Sequence, residues 1–172
     1  MSFLIKIYEF EVAMIAETIH PETGEIIKLK LPDLDADALN KLLKEYATDK
    51  QIKNSLEKLP IPAEAKAFMF KFAKCSITVG STVINIGKKI LETVLTLTGK
   101  YPHSTFGLIF AALLTFLISV IPGIGPILSS FLGPVLMLFG LGRGVWEDLK
   151  KDNISLADSI IKSAEIFEPL KG

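Results

Sequence analysis

The feature that most constrains how this chain folds is a block of 42 residues without one charged side chain, from Tyr101 to Gly142. An apolar run from Thr105 to Ile121 is followed by PGIGP, and a second apolar run continues to Leu141. Proline inside a helix loses a hydrogen bond and clashes with the preceding turn. The block therefore predicts two apolar helices joined by a tight reversal, a hydrophobic helical hairpin over residues 105–141.

Each helix of this hairpin has about 16 to 20 residues, which at ~1.5 Å per residue span about 24 to 30 Å, at the short end for crossing a bilayer. The predicted turn consists of Pro122, Gly123, Gly125 and Pro126. The large apolar side chains predicted to contact the membrane are Phe106, Leu108, Ile109, Phe110, Leu113, Leu114, Phe116, Leu117, Ile121, Ile127, Leu128, Phe131, Leu132, Leu136 and Phe139. A helix that is apolar on all sides lies either in a membrane or deep in a protein core.

Basic and aromatic residues flank the uncharged block, as they do at the ends of many membrane segments. Between Pro60 and Lys100 there are six lysines and two glutamates, a local excess of +4, although the 19 basic and 19 acidic residues of the chain balance. This balance gives no reason to expect binding to nucleic acid. The predicted membrane-surface cations are Lys66, Lys71, Lys74, Lys88, Lys89, Lys100 and Arg143, and Tyr101 and Trp146 are the predicted interface anchors.

The N-terminal 33 residues are predicted to form a small β element that precedes the helical region. Residues alternate between large apolar and polar in IYEFEV and again in IIKLKL, which predicts an antiparallel pair of strands over Ile5–Ile19 and Glu25–Leu31. A short amphipathic helix over Phe3–Ile15 is the alternative. Glu9 and Glu11 interrupt any signal-peptide core, so we expect a membrane-associated protein without a cleaved Sec signal.

Residues 34–172 are predicted to be a helical, membrane-active region. An apolar stripe with a mean spacing of 3.6 residues predicts one long helix over 63–98, or two helices joined near Gly80. Further amphipathic helices are predicted at 35–47, 49–58 and 155–167, the last with Ser155 and Asp158 as its capping box. The predicted fold class is therefore mainly α: a helical bundle with a central hydrophobic helical hairpin and a small N-terminal β-hairpin.

The sequence offers no constellation of catalytic or metal-binding side chains. His20 and His103 have no neighbouring ligand at a metal spacing, and Cys75 falls on the apolar stripe, where a small core residue is expected. The acidic residues from Asp33 to Asp37 lack the glycine and terminal glutamate of a calcium loop and are better explained as helix capping. We therefore predict that the protein is not an enzyme and has no cofactor.

The order of these segments resembles the pore-forming domain of colicins. In this chain the hairpin of that family corresponds to Phe106–Ile121, Pro122–Pro126 and Ile127–Leu141, and the basic segment 63–98 corresponds to part of the surrounding helices. The resemblance lies in hydropathy and helix order over residues 35–167. It implies a helical domain that hides its hairpin until it meets a membrane.

These observations predict a protein that inserts its hairpin into a lipid bilayer and either permeabilises or anchors to it, alone, as a self-oligomer or with other subunits. Two alternatives remain open at this stage. One is a small integral membrane subunit of a complex. The other is a structural component of a larger particle, such as a phage or secretion assembly, with the hairpin buried against other subunits.

Overall fold

The computed structural model describes residues 15–19, 23–30, 40, 47–79, 82–102 and 104–171. Most of the predicted helix 35–47, the predicted strand residues before 15, and His103 lie outside these ranges. The described elements are β1 (Ile15–Ile19), β2 (Ile26–Lys30), α1 (Asp49–Glu57), α2 (Ala63–Ala73), β3 (Ile77–Val79), β4 (Thr82–Ile84), α3 (Ile86–Lys100), α4 (Phe106–Val120), a 3₁₀ turn (Pro122–Ile124), α5 (Gly125–Leu138), α6 (Val145–Asp152), α7 (Ile154–Ser163) and a 3₁₀ segment (Ala164–Lys171).

The described part of the chain is mainly helical, which confirms the predicted fold class at that level. Local signals in the sequence set several helix ends. Thr48 and Gln51 form a capping box at the start of α1, in which each side chain accepts a hydrogen bond from the other residue's backbone N–H. The predicted first residue of the last helix was wrong, because α7 begins at Ile154 with Asn153 rather than Ser155 as its N-cap.

The strands form one antiparallel sheet in the order β2-β1-β3-β4. β1 pairs with β2 in the register Glu17 to Lys28, so the described residues of the N-terminal strand pair are antiparallel, as predicted. β1 also pairs with β3, through Glu17 and Thr78. The N-terminal strands therefore share a sheet with a hairpin from the region that was predicted to be helical.

The prediction of a helix or two joined helices across 63–98 was wrong between residues 77 and 84. The chain there forms the β3–β4 hairpin, with Ile77 opposite Ile84 and Val79 opposite Thr82. Every residue of these two strands is β-branched, and such side chains favour strands. Gly80 and Ser81, between the two strands, lie outside the described residues.

One continuous hydrophobic core runs from Ile52 in α1 to Leu170 in the C-terminal 3₁₀ segment. Helix α4 lies at its centre, in contact with α3, α5, α6, α7 and both 3₁₀ segments. Helix α5 lies further out and packs on α4, α2 and the 3₁₀ turn. The hydrophobic helix pair is therefore central through α4 and peripheral through α5.

Candidate functional site

The apolar helix pair, α4 and α5 with the 3₁₀ turn between them, carries the predicted membrane-contacting residues. Thr105 begins α4, because its hydroxyl accepts a hydrogen bond of 3.2 Å from the Leu108 N–H. After Ile121 the chain enters the 3₁₀ turn, and its direction changes by 115° between the two helices. The predicted tight reversal is therefore an open bend, and the two helices cross rather than run antiparallel.

Helix α5 continues through Pro134 and ends at a glycine cap. Gly140 has a φ of +64°, and the N–H of Leu141 donates to the carbonyl of Leu136 over 2.8 Å. Together with the bond from Gly140 N–H to the Met137 carbonyl, this is the Schellman arrangement that commonly ends a helix. Gly140, the first residue of the stretch GLGRG (Gly140–Gly144), thus ends the helix.

Most of the predicted membrane-contacting side chains are buried within the protein in this structure. The buried ones are Phe106, Ile109, Phe110, Leu113, Leu114, Leu117, Ile121, Ile127, Leu128, Phe131 and Leu136, and the half-buried ones are Leu108, Phe116, Leu132 and Phe139. In the turn, Gly125 is buried, Gly123 is half-buried, and Pro122 and Pro126 are exposed. In this structure, protein therefore covers most of the apolar pair.

Aromatic side chains of α2 close one side of the pair. The Phe72 ring meets Phe110 of α4 with centroids 4.9 Å apart and Phe131 of α5 with centroids 4.8 Å apart, both edge to face. Phe68 makes a similar contact with Phe131 at 5.7 Å. Such pairs contribute about 0.5 to 1.5 kcal/mol each beyond the burial of area. Phe72 therefore links α2 to both helices of the pair.

The other side of α4 is covered by the C-terminal strap, which we define as residues 145–171 (α6, α7 and the 3₁₀ segment). Trp146 of α6 packs on Phe116 of α4 with ring centroids 5.1 Å apart. Further along, the strap buries one apolar face against the core, formed by Leu149, Leu156, Ile160, Phe167 and Leu170. The strap thus replaces solvent along α4 from the start of α6 to the end of the described chain.

The two predicted interface anchors have partners inside the protein. Trp146 is only 7% exposed, so in this structure it is a packing residue rather than a surface aromatic. The Tyr101 hydroxyl donates to the Ser155 carbonyl over 3.1 Å and also shares hydrogen bonds with the hydroxyls of Ser155 and Ser159. Bonds from these serine hydroxyls lower the pKa of the Tyr101 phenol. Ser155 was predicted only as a helix cap and Ser159 was not predicted, and no sequence pattern linked either of them to Tyr101.

The predicted membrane-surface cations lie on two helices separated by the β3–β4 hairpin, and on a loop. Several have partners within the protein: Lys66 donates to the Glu57 carbonyl over 2.9 Å, Lys88 pairs with Asp49 at 2.5 Å, and Lys89 pairs with Glu92 at 3.6 Å. The remaining predicted cations, Lys71, Lys74, Lys100 and Arg143, are exposed. The structure therefore does not place the seven cations along one continuous basic helix.

The outer face of α5 is exposed and carries no charge, which is unusual for a helix surface in contact with water. It consists of Pro126, Ser129, Gly133 and Met137, at spacings of 3, 4 and 4 residues. Met137 is 85% exposed, and a Cβ built at Gly133 would meet nothing within 4 Å. Sequence reasoning did not separate this face from the buried one, because both lack charge.

The hydroxyl groups of three polar residues in the pair bond to carbonyls of their own helix. Thr115 donates to Ala111 over 2.8 Å, Ser119 to Phe116 over 2.7 Å, and Ser130 to Ile127 over 2.6 Å. Such local bonds move with the helix and do not depend on the neighbouring protein. Displacing the pair as a unit would therefore leave these three bonds intact.

None of the described helices is long and apolar enough to cross a bilayer alone. Phe106–Val120 and Pro122–Leu138, taken together as one bent pair, have sufficient length and apolar composition. Among the described residues, no group of three His, Cys, Asp or Glu side chains is placed to hold a metal ion. Comparison with family models, curated proteins and solved structures found no match to this chain.

Proposed function

We propose that the protein inserts its apolar helix pair into a lipid bilayer, and that the structure described above is the closed state that precedes insertion. The observation that carries this proposal is the chemistry of the pair itself. It contains no charged side chain, and its Thr115, Ser119 and Ser130 hydroxyls bond within their own helices. The pair can therefore move as a unit without burying a charge or breaking these hydrogen bonds.

A second reason is that moving the apolar side chains of the pair from the protein core into lipid costs little free energy. Lipid tails are about as apolar as a leucine side chain, so buried residues of α4 would exchange one apolar environment for another. Backbone groups in a bilayer must bond internally, and helices meet this requirement. In the turn, Pro122 and Pro126 have no N–H group, so they add no donor that would need a partner in lipid.

The proposal also gives the exposed face of α5 a role. In water, the absence of charge gives this surface no benefit. In lipid it has a clear benefit, because a charged side chain there would oppose insertion. Contact with a bilayer could begin at this face, because it needs no rearrangement of the core to be reached. The weak resemblance to colicin pore-forming domains points in the same direction.

Flotation of the detergent-free protein with anionic and with neutral liposomes tests insertion, and dye release in the same tubes separates permeabilisation from anchoring. The informative variant is Ser129→Asp, because Ser129 is exposed in the closed state and lies within the pair. A charge near the middle of a membrane helix costs about 2.5 to 3.5 kcal/mol. We therefore expect Ser129→Asp to bind both kinds of liposome about a hundredfold more weakly.

Asn54→Asp is the matched control, because it adds the same charge at an exposed position of α1, outside the pair. We expect this control to bind neutral liposomes like the unmodified protein. Equal unfolding midpoints of both variants would show that the closed fold is intact. Binding of Ser129→Asp at the level of the control would contradict insertion through the pair.

The same experiment distinguishes the two alternatives from the sequence. An integral membrane subunit would need detergent at every stage, so it could not be purified as a detergent-free protein. A component of a larger particle would stay with the unbound fraction for both lipid compositions, and the outer face of α5 would then be covered by another subunit.

A further inference from the structure

We propose that the C-terminal strap is a restraint on the apolar helix pair and that the hydrogen bonds of Tyr101 with α7 are its latch. The inference rests on the proposed function, because a restraint matters only if the pair leaves the protein. Its structural basis has three parts. They are the contacts of the strap with α4, the hydrogen bonds of Tyr101 with α7, and the groove between the strap and the end of α4.

The strap is the part of the protein that must separate from α4 before α4 can reach lipid. All three of its segments contact α4, beginning with Trp146 on Phe116 and ending with the 3₁₀ segment. The opposite side of the strap carries exposed charged residues such as Lys150, Lys151 and Asp158, together with the exposed Ile154 and Ile166. An amphipathic segment of this kind can leave α4 and remain stable at a membrane surface, with its apolar face in the headgroup region.

Tyr101 ties this strap to the end of α3 through side-chain hydrogen bonds. It directly follows α3, and its hydroxyl bonds to the Ser155 carbonyl and to the hydroxyls of Ser155 and Ser159 on α7. Since α7 contacts both α3 and α4, these bonds fasten α7 across α4 to the end of α3. Tyr101 also stands four residues before the N-cap of α4, at the joint about which the apolar pair would swing.

Near the end of α4, the contact between the strap and the pair is interrupted at one place. An open groove separates the C-terminal end of α4 from the strap, lined by Phe116, Val120, Ile161 and Ala164, with Glu165 and Glu168 beside it. Ile161 is 40% exposed, so part of the apolar face of the strap already meets solvent. Phe167 and Leu170 are fully buried beyond this groove, so the groove is a local gap in the contact between the strap and α4.

The latch is tested by hydrogen exchange on the full chain without lipid, comparing Tyr101→Phe with the unmodified protein. Removing only the hydroxyl should speed exchange in residues 154–171 about fivefold, the factor expected for one hydrogen bond of ordinary strength. Exchange in α2 and α3 should stay the same. Thr98→Val is the control, because Thr98 lies in the last turn of α3, just before Tyr101, and its hydroxyl bonds only to the Val94 carbonyl among the contacts described.

Ser159→Ala provides the second arm of a double-mutant cycle. If the two hydroxyls interact, Ser159→Ala should speed exchange in residues 154–171 nearly as much as Tyr101→Phe does. Adding Ser159→Ala to Tyr101→Phe should then speed exchange by less than Ser159→Ala does alone. Unchanged exchange in Tyr101→Phe, or an equal increase throughout the protein, would overturn the latch. Additive effects of the two changes would also overturn it.

Liposome dye release then connects the latch to membrane activity. Faster exchange together with faster dye release in Tyr101→Phe supports both the latch and the proposed function. Faster exchange of residues 154–171 in a protein that binds no liposomes supports the latch and overturns the membrane function. The two proposals therefore fail separately.

Discussion

At the scale of single residues, two glycines of α3 illustrate how closely the helices pack. A Cβ at Gly87 would lie 1.9 Å from the carbonyl oxygen of Phe72, and the Gly87 N–H donates to the Cys75 carbonyl over 3.0 Å. A Cβ at Gly99 would meet nothing within 4 Å. The first glycine permits α3 to approach the end of α2, whereas the second has no packing role in this structure.

Gly87→Ala should therefore destabilise the protein by about 2 to 3 kcal/mol, because the added methyl group meets backbone rather than a flexible side chain. Gly99→Ala, in the same helix, should leave stability unchanged or raise it by about 0.5 to 1 kcal/mol through helix propensity. Urea denaturation followed by circular dichroism measures both. Similar midpoints for the two variants would contradict the close approach at Gly87.

At the scale of elements, the ends of the helices depend on single polar residues. Asn153 ends α6 and begins α7, because its side chain accepts a hydrogen bond of 3.1 Å from the Leu156 N–H. The same residue therefore sets where the strap bends between its two helices. The sequence suggested a cap two residues later, since Ser155 and Asp158 also match a capping pattern.

Asn153→Ala should lower the free energy of unfolding by about 1 kcal/mol, the usual effect of losing an N-cap. Asn153→Asp keeps an acceptor at the helix N-terminus and should be close to the unmodified protein. Urea midpoints of the two variants give the comparison. An equal loss in both would indicate that the side-chain cap does not stabilise α7.

At the scale of the whole molecule, one core joins α1, the β3–β4 hairpin, the apolar pair and the strap. In α4 the buried residues come from all sides of the helix, from Phe106 to Leu117. Because all of these elements contribute side chains to the same core, they stabilise one another. In denaturant the protein should then unfold globally in one cooperative transition, whereas hydrogen exchange under native conditions detects smaller openings such as that of the strap.

Equilibrium unfolding in urea should accordingly give coincident transitions from two probes. Trp146, the single tryptophan, reports on the contact between the strap and α4, and far-ultraviolet circular dichroism reports on all helices. The two midpoints should agree within experimental error. An earlier fluorescence transition would show that the strap unfolds separately, in conflict with a single cooperative core.

The sequence alone determined the two apolar helices and the break between them. Water excludes a run of uncharged apolar residues, and Pro122 and Pro126 disfavour one continuous helix through the turn. It also indicated the mainly helical class, through apolar spacing such as that of Phe68 and Phe72 along α2. These properties follow from residues close together in the chain, so they could be predicted without knowledge of distant contacts.

Only the tertiary structure decided what those helices contact. Residues 77–84 fit a helical stripe as well as a β-hairpin, and pairing of β3 with the distant strand β1 accompanies the hairpin. Hydropathy alone could not tell that α4 would be central and α5 peripheral, or that Trp146 would be buried and Tyr101 would reach Ser159. These outcomes depend on which surfaces meet across the fold, and the local pattern of residues does not contain that information.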